Sequence, residues 1–388
     1  MRKISSILAV SVAALLASVA TAKPITLAVY GDSPYGTSPT DTAQVLATPA
    51  FVSAVNADAA VSLVLHVGDI HSGKTYCTSA YDTTIFNLWA AYTKPLVYTP
   101  GDNEWTDCHK KKEGGGVYNA VTGQVDYVVD GLGSPVDYAY GNPVANLDLV
   151  RSIFFSNPGH TLGADKKVVS QRYAFDRNFP ADAAFVENVY FMQGDVLVVT
   201  ANVPGGSNND QDIWYGAPTM TAEQAAEAPA RTDATIRWIN KAFKVAKSEG
   251  AKAVVLAVQA DMWDLDGNTA AHLTGYEPII AAIASNTTAF QKPVLLFNGD
   301  SHGYRSDNPL VQGAPCLTES TTVGVPTAAC AADDWANHPS YNVPNFHRVV
   351  VHGSTTALEY LRLTIDTEKK RAPSDTSFGP FSWTRVNP

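Results

Sequence analysis

The sequence predicts an α/β domain built on buried parallel strands, and three observations lead there. Short Val/Leu-rich runs recur along the chain, stretches of helical periodicity separate several of them, and each run ends in a polar turn. LAVYGD ends in Asp32, VSLVLHVGD in Asp69 and AVVLAVQ in Gln259, while PVLLFNGDSH delivers Asp300 and His302. The run at 94–99 opens onto Pro100-Gly101-Asp102-Asn103-Glu104-Trp105, the most acidic and amide-rich of these turns. Strands buried on both faces read as continuous apolar runs. Open α/β sheets bind ligands outside the carboxyl ends of their strands, so these turns are expected to share one crevice.

The elements follow in order. An export signal is expected over 1–22: Arg2 and Lys3 precede an apolar, small-residue stretch, and Ala20-Thr21-Ala22 offers a cleavage site. The first strand is 25–30, and Pro34 keeps the following turn from staying extended. A helix is expected at 41–56, a strand at 61–67, a helix at 79–91 with Ile85, Leu88 and Trp89 on its apolar face, then the strand that delivers Asp102. From 107 to 150 periodicity is weak and Gly, Asn and Asp are frequent, which reads as an insertion with a short helix at 144–152. Strands are expected at 168–175, 185–191 and 195–201, paired antiparallel. A long helix lies within 221–248, a strand at 253–258, a helix at 276–288 and a strand at 293–298. The tract 308–345 reads as a second surface excursion, 346–352 and 358–366 as closing strands, and 368–388 as a loosely held tail. A single main domain, 23–367, carries both insertions.

Composition narrows the partners. The formal net charge of −10 loses two more positive charges once Arg2 and Lys3 are removed, which disfavours nucleic acid duplexes and anionic membranes. Beyond the leader no apolar stretch is long enough to insert in a bilayer, so a periplasmic or secreted location is expected. After export Cys77, Cys108, Cys316 and Cys330 are expected to pair. Of the three connectivities we expect Cys77–Cys108, which follow adjacent strands, and Cys316–Cys330, which flank a local loop. The run Lys110-Lys111-Lys112 offers a local attraction for an anion, although a solvated loop face is the simpler reading. No P-loop, dinucleotide fingerprint or Gly-x-Ser-x-Gly elbow is present.

Asp32, Asp69, Asp102 and Asp300, brought to one place, would repel one another and raise each other's pKa unless a cation sat among them. With Gln259 and His302 they form an oxygen-rich ligand set with one strongly placed imidazole. That chemistry favours one or two divalent ions, Mg²⁺, Mn²⁺ or Ca²⁺ before Zn²⁺ or Fe. A pair of ions can bind the attacking and leaving oxygens of a phosphoester, with Asp69 central enough to bridge.

The order LAVYGD, HVGD, PGDNE, a later strand ending in a polar residue, and GDSH resembles the calcineurin-like metallophosphoesterase superfamily, which includes purple acid phosphatases, over roughly residues 25 to 304. The resemblance implies a four-layer αββα sandwich of two mixed β-sheets and hydrolysis of phosphomonoesters or phosphodiesters. It aligns the family's opening Asp with Asp32 and its bridging Asp with Asp69. It also exposes departures. The common Asp-x-His is Asp32-Ser33-Pro34, and the Tyr that purple acid phosphatases place three residues after the bridging Asp is Ser72. Gly-Asn-His-Glu becomes Gly101-Asp102-Asn103-Glu104, the mid-chain His becomes Gln259, and Gly-His-x-His becomes Gly299-Asp300-Ser301-His302.

Two readings follow. In one, Asp32, Asp69 and His302 hold one ion, and Asp69, Asp102, Asp300 and Gln259 the other, for a phosphoester hydrolase that attacks a small phosphorylated substrate with metal-bound hydroxide. In the other, a metal- or ligand-binding protein of the same fold has weakened or lost turnover. Asn103 favours the second, because an amide donates no proton at an accessible pKa. Replacement acids are His71, which is equally a ligand or a solvent-facing loop residue, and His109. Glu104 and Trp105 are expected to fasten the turn, and Asn202 is a candidate donor to phosphate.

Overall fold

The computed structural model describes residues 23–209, 212–265, 269–322, 325–331 and 340–388. The expected leader and its cleavage site lie outside the described residues. Among the described residues no helix is long and apolar enough to cross a membrane.

Period-two alternation along the strands generates the architecture. In Ile25–Tyr30 and Val61–His66, Leu27, Val29, Leu63 and Leu65 face one way while Ala28, Tyr30 and Val64 face the other. The first set meets Val196, Val198, Val255, Leu295 and Phe297 of a second sheet, forming a dry core between the sheets. The second set packs under Phe51, Val52 and Val55, under Ile85 and Trp89, and under Val150 and Phe154, the buried stripes of three helices. On the far side Leu197, Val199, Leu256 and Leu296 are covered by Trp238, Ile239 and Phe243 of helix Ala222–Ser248 and by Ile279, Ile280 and Ile283 of helix Glu277–Phe290. The result is the four-layer αββα sandwich of two mixed sheets, which among the described residues have seven and nine strands.

Parallel pairing aligns the ends that matter. Strand Ile25–Tyr30 runs parallel to Val61–His66, which runs parallel to Pro95–Tyr98. In the other sheet Val196–Thr200, Ala253–Ala257, Val294–Asn298 and Phe346–Val350 are successive parallel neighbours. Both disulfides form as expected, Cys77–Cys108 and Cys316–Cys330. The first ties the loop after the second strand to the loop after the third. The 107–150 excursion contains the hairpin Gly116–Asn119 with Gln124–Tyr127 and the helix Pro143–Phe154, which the Asn142 side chain caps at Ala145 N–H.

Three expectations fail. Only Val169–Ser170 of the 168–175 segment is strand; Ser170 accepts from Arg172 N–H and starts a helical turn, Gln171–Ala174. The strand expected at 185–191 begins at Val189. The tail is not loose: Phe381–Val386 pairs along Tyr360–Ile365, and Phe378, Phe381 and Trp383 complete the inter-sheet core. Burial of three aromatic rings outweighs the polar residues between them.

His66, at the end of its strand, shows how the fold holds the crevice. Its Nδ1 accepts from Gly68 N–H at 3.2 Å, so Nε2 carries the proton and donates to Ser33 C=O at 3.0 Å. One neutral imidazole thus pins two of the acid-bearing turns. Burial depresses its pKa from 6.5 to about 3. The unfolded chain takes up this proton first, so the stabilisation is complete above about 6.5 and is lost as pH falls toward about 3. Guanidinium unfolding at stepped pH is expected to show that loss, and His66→Gln to remove one proton from its slope.

Candidate metal centre

The turns after five strands converge as the sequence implied, and their backbone geometry is unusual. Asp32, Asp69, Asp300 and His302 all have positive φ, 49°, 59°, 74° and 64°. Asp tolerates this left-handed region better than most residues, and such strain collects at functional sites. A Cβ at Gly101 would stand 2.0 Å from Asp69 Oδ1, so only glycine fits ahead of Asp102.

Asp69 is central. Its Oδ2 accepts from the Tyr35 hydroxyl at 2.6 Å and from Asn103 Nδ2 at 2.9 Å, and Oδ1 accepts from Asn103 N–H at 3.3 Å. Asp32 Oδ1 accepts from Asp300 N–H at 2.9 Å and lies 3.9 Å from His302 Nε2, while Oδ2 is buried with no hydrogen-bond partner. Donor atoms of Asp32, Asp69 and His302 all fall within 4.8 Å of one another. The His302 ring also reaches the Tyr35 oxygen at 3.2 Å.

Asp102 and Asp300 are joined differently. Gln259 Nε2 donates to Asp102 Oδ1 at 2.9 Å and to Asp300 Oδ1 at 3.1 Å, and its Oε1 accepts from Gly205 N–H at 2.6 Å. The amide orientation is therefore fixed at both ends, with the N–H₂ rather than the oxygen toward the carboxylates. Behind them Asp261 N–H donates to Asp300 Oδ2, and Asp261 accepts from Ser301 Oγ. Burial pulls the Asp261 pKa up, but Arg348 and Arg305 hold it below the ordinary carboxylate value. Arg348 is fully buried, bonded to Asp261 and forked onto Asp307 at 2.8 and 2.6 Å.

Burial, reinforced by neighbouring carboxylates, holds the pKa values of Asp32, Asp69 and Asp102 well above the ordinary range. A divalent ion relieves that repulsion by replacing protons. The orphaned Asp32 oxygen beside Asp69 and His302 is a suitable place for one, and the residues present fit it.

The other expected residues separate into groups. Asn103 lies at the centre, held on Asp69 and Tyr35. His71 lies with Cys77 and Glu113, is buried, and does not line the crevice. Burial lowers its pKa to about 4, so it is neutral near pH 7 and is no proton donor there; Cys77, locked to Cys108, offers no thiolate to a metal. His109 accepts from Tyr215 N–H and sits behind Lys110, also outside the lining. Lys110 Nζ bridges Asp107 and Asp212 at 2.7 and 2.8 Å, so an ammonium already neutralises that acidic pair. Glu104 accepts from Gly101 N–H and the Tyr98 hydroxyl and fastens the turn, as expected, and Trp105 is fully buried. Asn202 donates to Glu187, not toward the crevice. Sequence reasoning missed Tyr35, whose only signal was its position three residues after Asp32, and the Asp261–Arg348 support, which had none.

The crevice over this centre encloses about 710 Å³, lined by Asp69, Asp102, Asn103, Asp300 and His302 with Lys110 and Lys112. No protein-family model matches the chain, and no curated protein matches it. Among solved structures it is similar to a purple acid phosphatase from yellow lupin (Lupinus luteus) seeds, at TM-score 0.42 and 12% identity. That similarity covers 89% of this chain and 50% of the lupin chain, so this chain spans about half of that protein's length. The αββα fold is the one expected from the sequence, and Asp32, Asp69 and His302 form a candidate metal-ligand cluster within it.

Asp69→Asn separates electrostatics from shape, because Asn keeps the outline and tolerates φ of 59°. With no metal bound, the raised pKa of Asp69 costs stability as pH climbs through it. The substitution is expected to stabilise the metal-free chain at pH 7, because it removes a buried charge among carboxylates, and to abolish tight ion binding. Chemical unfolding with and without Mn²⁺ reads both effects.

Proposed function

We propose that this chain is a metal- and ligand-binding protein on a metallophosphoesterase-like scaffold, with one divalent ion at Asp32, Asp69 and His302 and with phosphoester turnover weakened or lost. The observation that carries this reading is the Gln259 amide. Its N–H₂ takes up an oxygen from each of Asp102 and Asp300, the two carboxylates that a second ion would need. The amide is a neutral donor in the place of a cation, and it holds one oxygen of each carboxylate without metal. Asn103 points the same way, since its side chain is spent on Asp69 and Tyr35 and holds no transferable proton.

One observation favours the competing reading, a metal-dependent phosphoester hydrolase. The crevice is large enough for a small phosphorylated molecule, and Lys112 adds an ammonium to its otherwise acidic lining, where Lys110 is engaged by Asp107 and Asp212. A bound ion there would supply Lewis-acid polarisation and a lowered water pKa. In either reading Asp32, Asp69 and His302 would hold the ion, Tyr35 and Asn103 orient Asp69, and Lys112 offers an anion a cation at the rim. Metal identity within the divalent series, with Mg²⁺, Mn²⁺ and Ca²⁺ ahead of Zn²⁺, follows from the oxygen-rich donors. A periplasmic or secreted location accords with two disulfides.

Metal-stripped protein titrated with Mn²⁺ in a calorimeter is expected to take up about one ion per chain, with affinity at least about tenfold weaker in His302→Ala. The same sample is expected to show no hydrolysis of an aryl phosphate or diaryl phosphate that Asp32→Asn removes. Two ions per chain, with turnover lost in Asp32→Asn, would establish the hydrolase instead.

Gln259→Glu keeps the acceptor for Gly205 N–H and exchanges the amide donor for a third carboxylate oxygen. It is expected to raise the Mn²⁺ stoichiometry from about one to about two. An unchanged stoichiometry would mean that the amide is not what excludes the second ion.

A further inference from the structure

Among the described residues three groups of side chains bring metal-ligating atoms together, and two are accounted for. Asp32, Asp69 and His302 form the centre above, and in the group of Asp107, His109 and Asp212 the Lys110 ammonium already bridges the two acids. The third is His71, Cys77 and Glu113, all buried, with one ligating atom from each lying within 4.8 Å of the others.

Loops bring this set together. His71 and Cys77 belong to the loop after the second strand, and Glu113 ends the turn Lys111–Glu113 beyond the third, its C=O accepting from Cys77 N–H at 3.2 Å. Cys108, bonded to Cys77, is buried with them. Two polar atoms here are unmatched. His71 Nδ1 meets Ser72 C=O at 3.3 Å, and a carbonyl only accepts, so Nδ1 carries the proton and the lone pair stays on Nε2. Nε2 is buried with no hydrogen-bond partner, and so is Glu113 Oε2. An imidazole held on a carbonyl through one nitrogen, with a lone pair on the other, is the form in which histidine binds zinc.

We propose that in the thiol state of Cys77 and Cys108, which each chain passes through before the bridge forms, His71, Cys77, Cys108 and Glu113 bind one Zn²⁺, so that ion and disulfide are alternative occupants of one pocket. Two thiolates, an imidazole and a carboxylate make a four-coordinate set, and its sulfur favours Zn²⁺ over the hard ions suited to the oxygen-rich crevice. Tetrahedral bonds of about 2.0–2.3 Å place donors about 3–4 Å apart, so small side-chain shifts close the set. The exchange balances. A small disulfide takes two electrons from the two thiolates and leaves as two thiols with two protons from water, while the Cys77–Cys108 bond forms and Zn²⁺ departs from sulfurs that no longer carry charge. Gly73 gives the ion a short way in: it lines the crevice, and a Cβ there would stand 3.3 Å from Glu113 Oε1. Either occupant ties the loop after the second strand to the loop after the third.

Cys108→Ser in the full chain tests the assignment, because it frees Cys77 without a reductant and leaves Cys316–Cys330 closed. Titrated with Co²⁺ in place of Zn²⁺, it is expected to develop sulfur-to-cobalt charge-transfer absorption at about one ion per chain, which Zn²⁺ then bleaches. The crevice centre has no sulfur ligand and contributes nothing to that band. The bridged parent is expected to show none. Adding His71→Ala or Glu113→Gln is expected to weaken Co²⁺ binding at least about tenfold. Cys77→Ser, which leaves the Cys108 thiol instead, replaces the first variant if that one melts below the parent. Absence of the band from both serine variants overturns the site. A band that keeps its affinity when His71 and Glu113 are both replaced overturns it too, since a thiol alone would then be the ligand.

Discussion

Four carboxylates, those of Asp32, Asp69, Asp102 and Asp300, are brought to one crevice by strand ends. Taking a carboxylate out of water without a partner is costly, and the surrounding structure answers that cost with neutral donors. The Tyr35 hydroxyl, the Asn103 and Gln259 amides and the backbone N–H groups of Asp261 and Asp300 each take an oxygen. Asp32 Oδ2 is buried without a hydrogen-bond partner, and the other oxygen of that carboxylate lies 3.9 Å from His302 Nε2. The balance between amide donors and an ion is therefore asymmetric, closed on the Asp102–Asp300 side and open on the Asp32–His302 side.

Rigidity follows from how those donors are held. The turns sit between two sheets whose shared core is dry and whose outer faces are clamped by long helices. His66 ties the first two turns together, the Cys77–Cys108 bridge ties the loops beyond the second and third, and Arg348 anchors Asp261 beneath the last. Close approach of backbone to carboxylate at Gly101 and Gly205 leaves no room for other side chains, since a Cβ at Gly205 would stand 2.3 Å from Asp102. A cluster of this kind is made by the fold and held against its own repulsion.

Much of this was legible in one dimension. The strand runs at 25–30, 61–67 and 293–298 and the helices at 79–91 and 221–248 announced themselves through apolar periodicity, and the structure moves their limits by few residues. The reading failed where periodicity was short or mixed. Ser170, read as part of a strand, begins a helical turn, because a serine hydroxyl can accept the N–H two residues on. The C-terminal Phe381-Ser382-Trp383 alternates as a strand should, but the polar residues around it hid the signal. Tyr35 was invisible because a hydroxyl carried into a cluster by a turn leaves no spacing rule.

The sequence by itself determined which residues would meet. Apolar runs buried on both faces force parallel strands, and parallel strands place every following turn at the same edge, so Asp32, Asp69, Asp102, Gln259 and Asp300 had to gather. Only the tertiary structure decided what the gathering is. Whether Gln259 offers its oxygen to a cation or its N–H₂ to two acids depends on Gly205 N–H, fifty-four positions away in the chain, which takes the oxygen and turns the amide. Likewise His71 lies two residues from Asp69 in sequence, yet it faces Glu113 and a disulfide outside the crevice. Local pattern fixes the path of the backbone, whereas the direction of a polar side chain is set by whichever distant partner claims its hydrogen bonds.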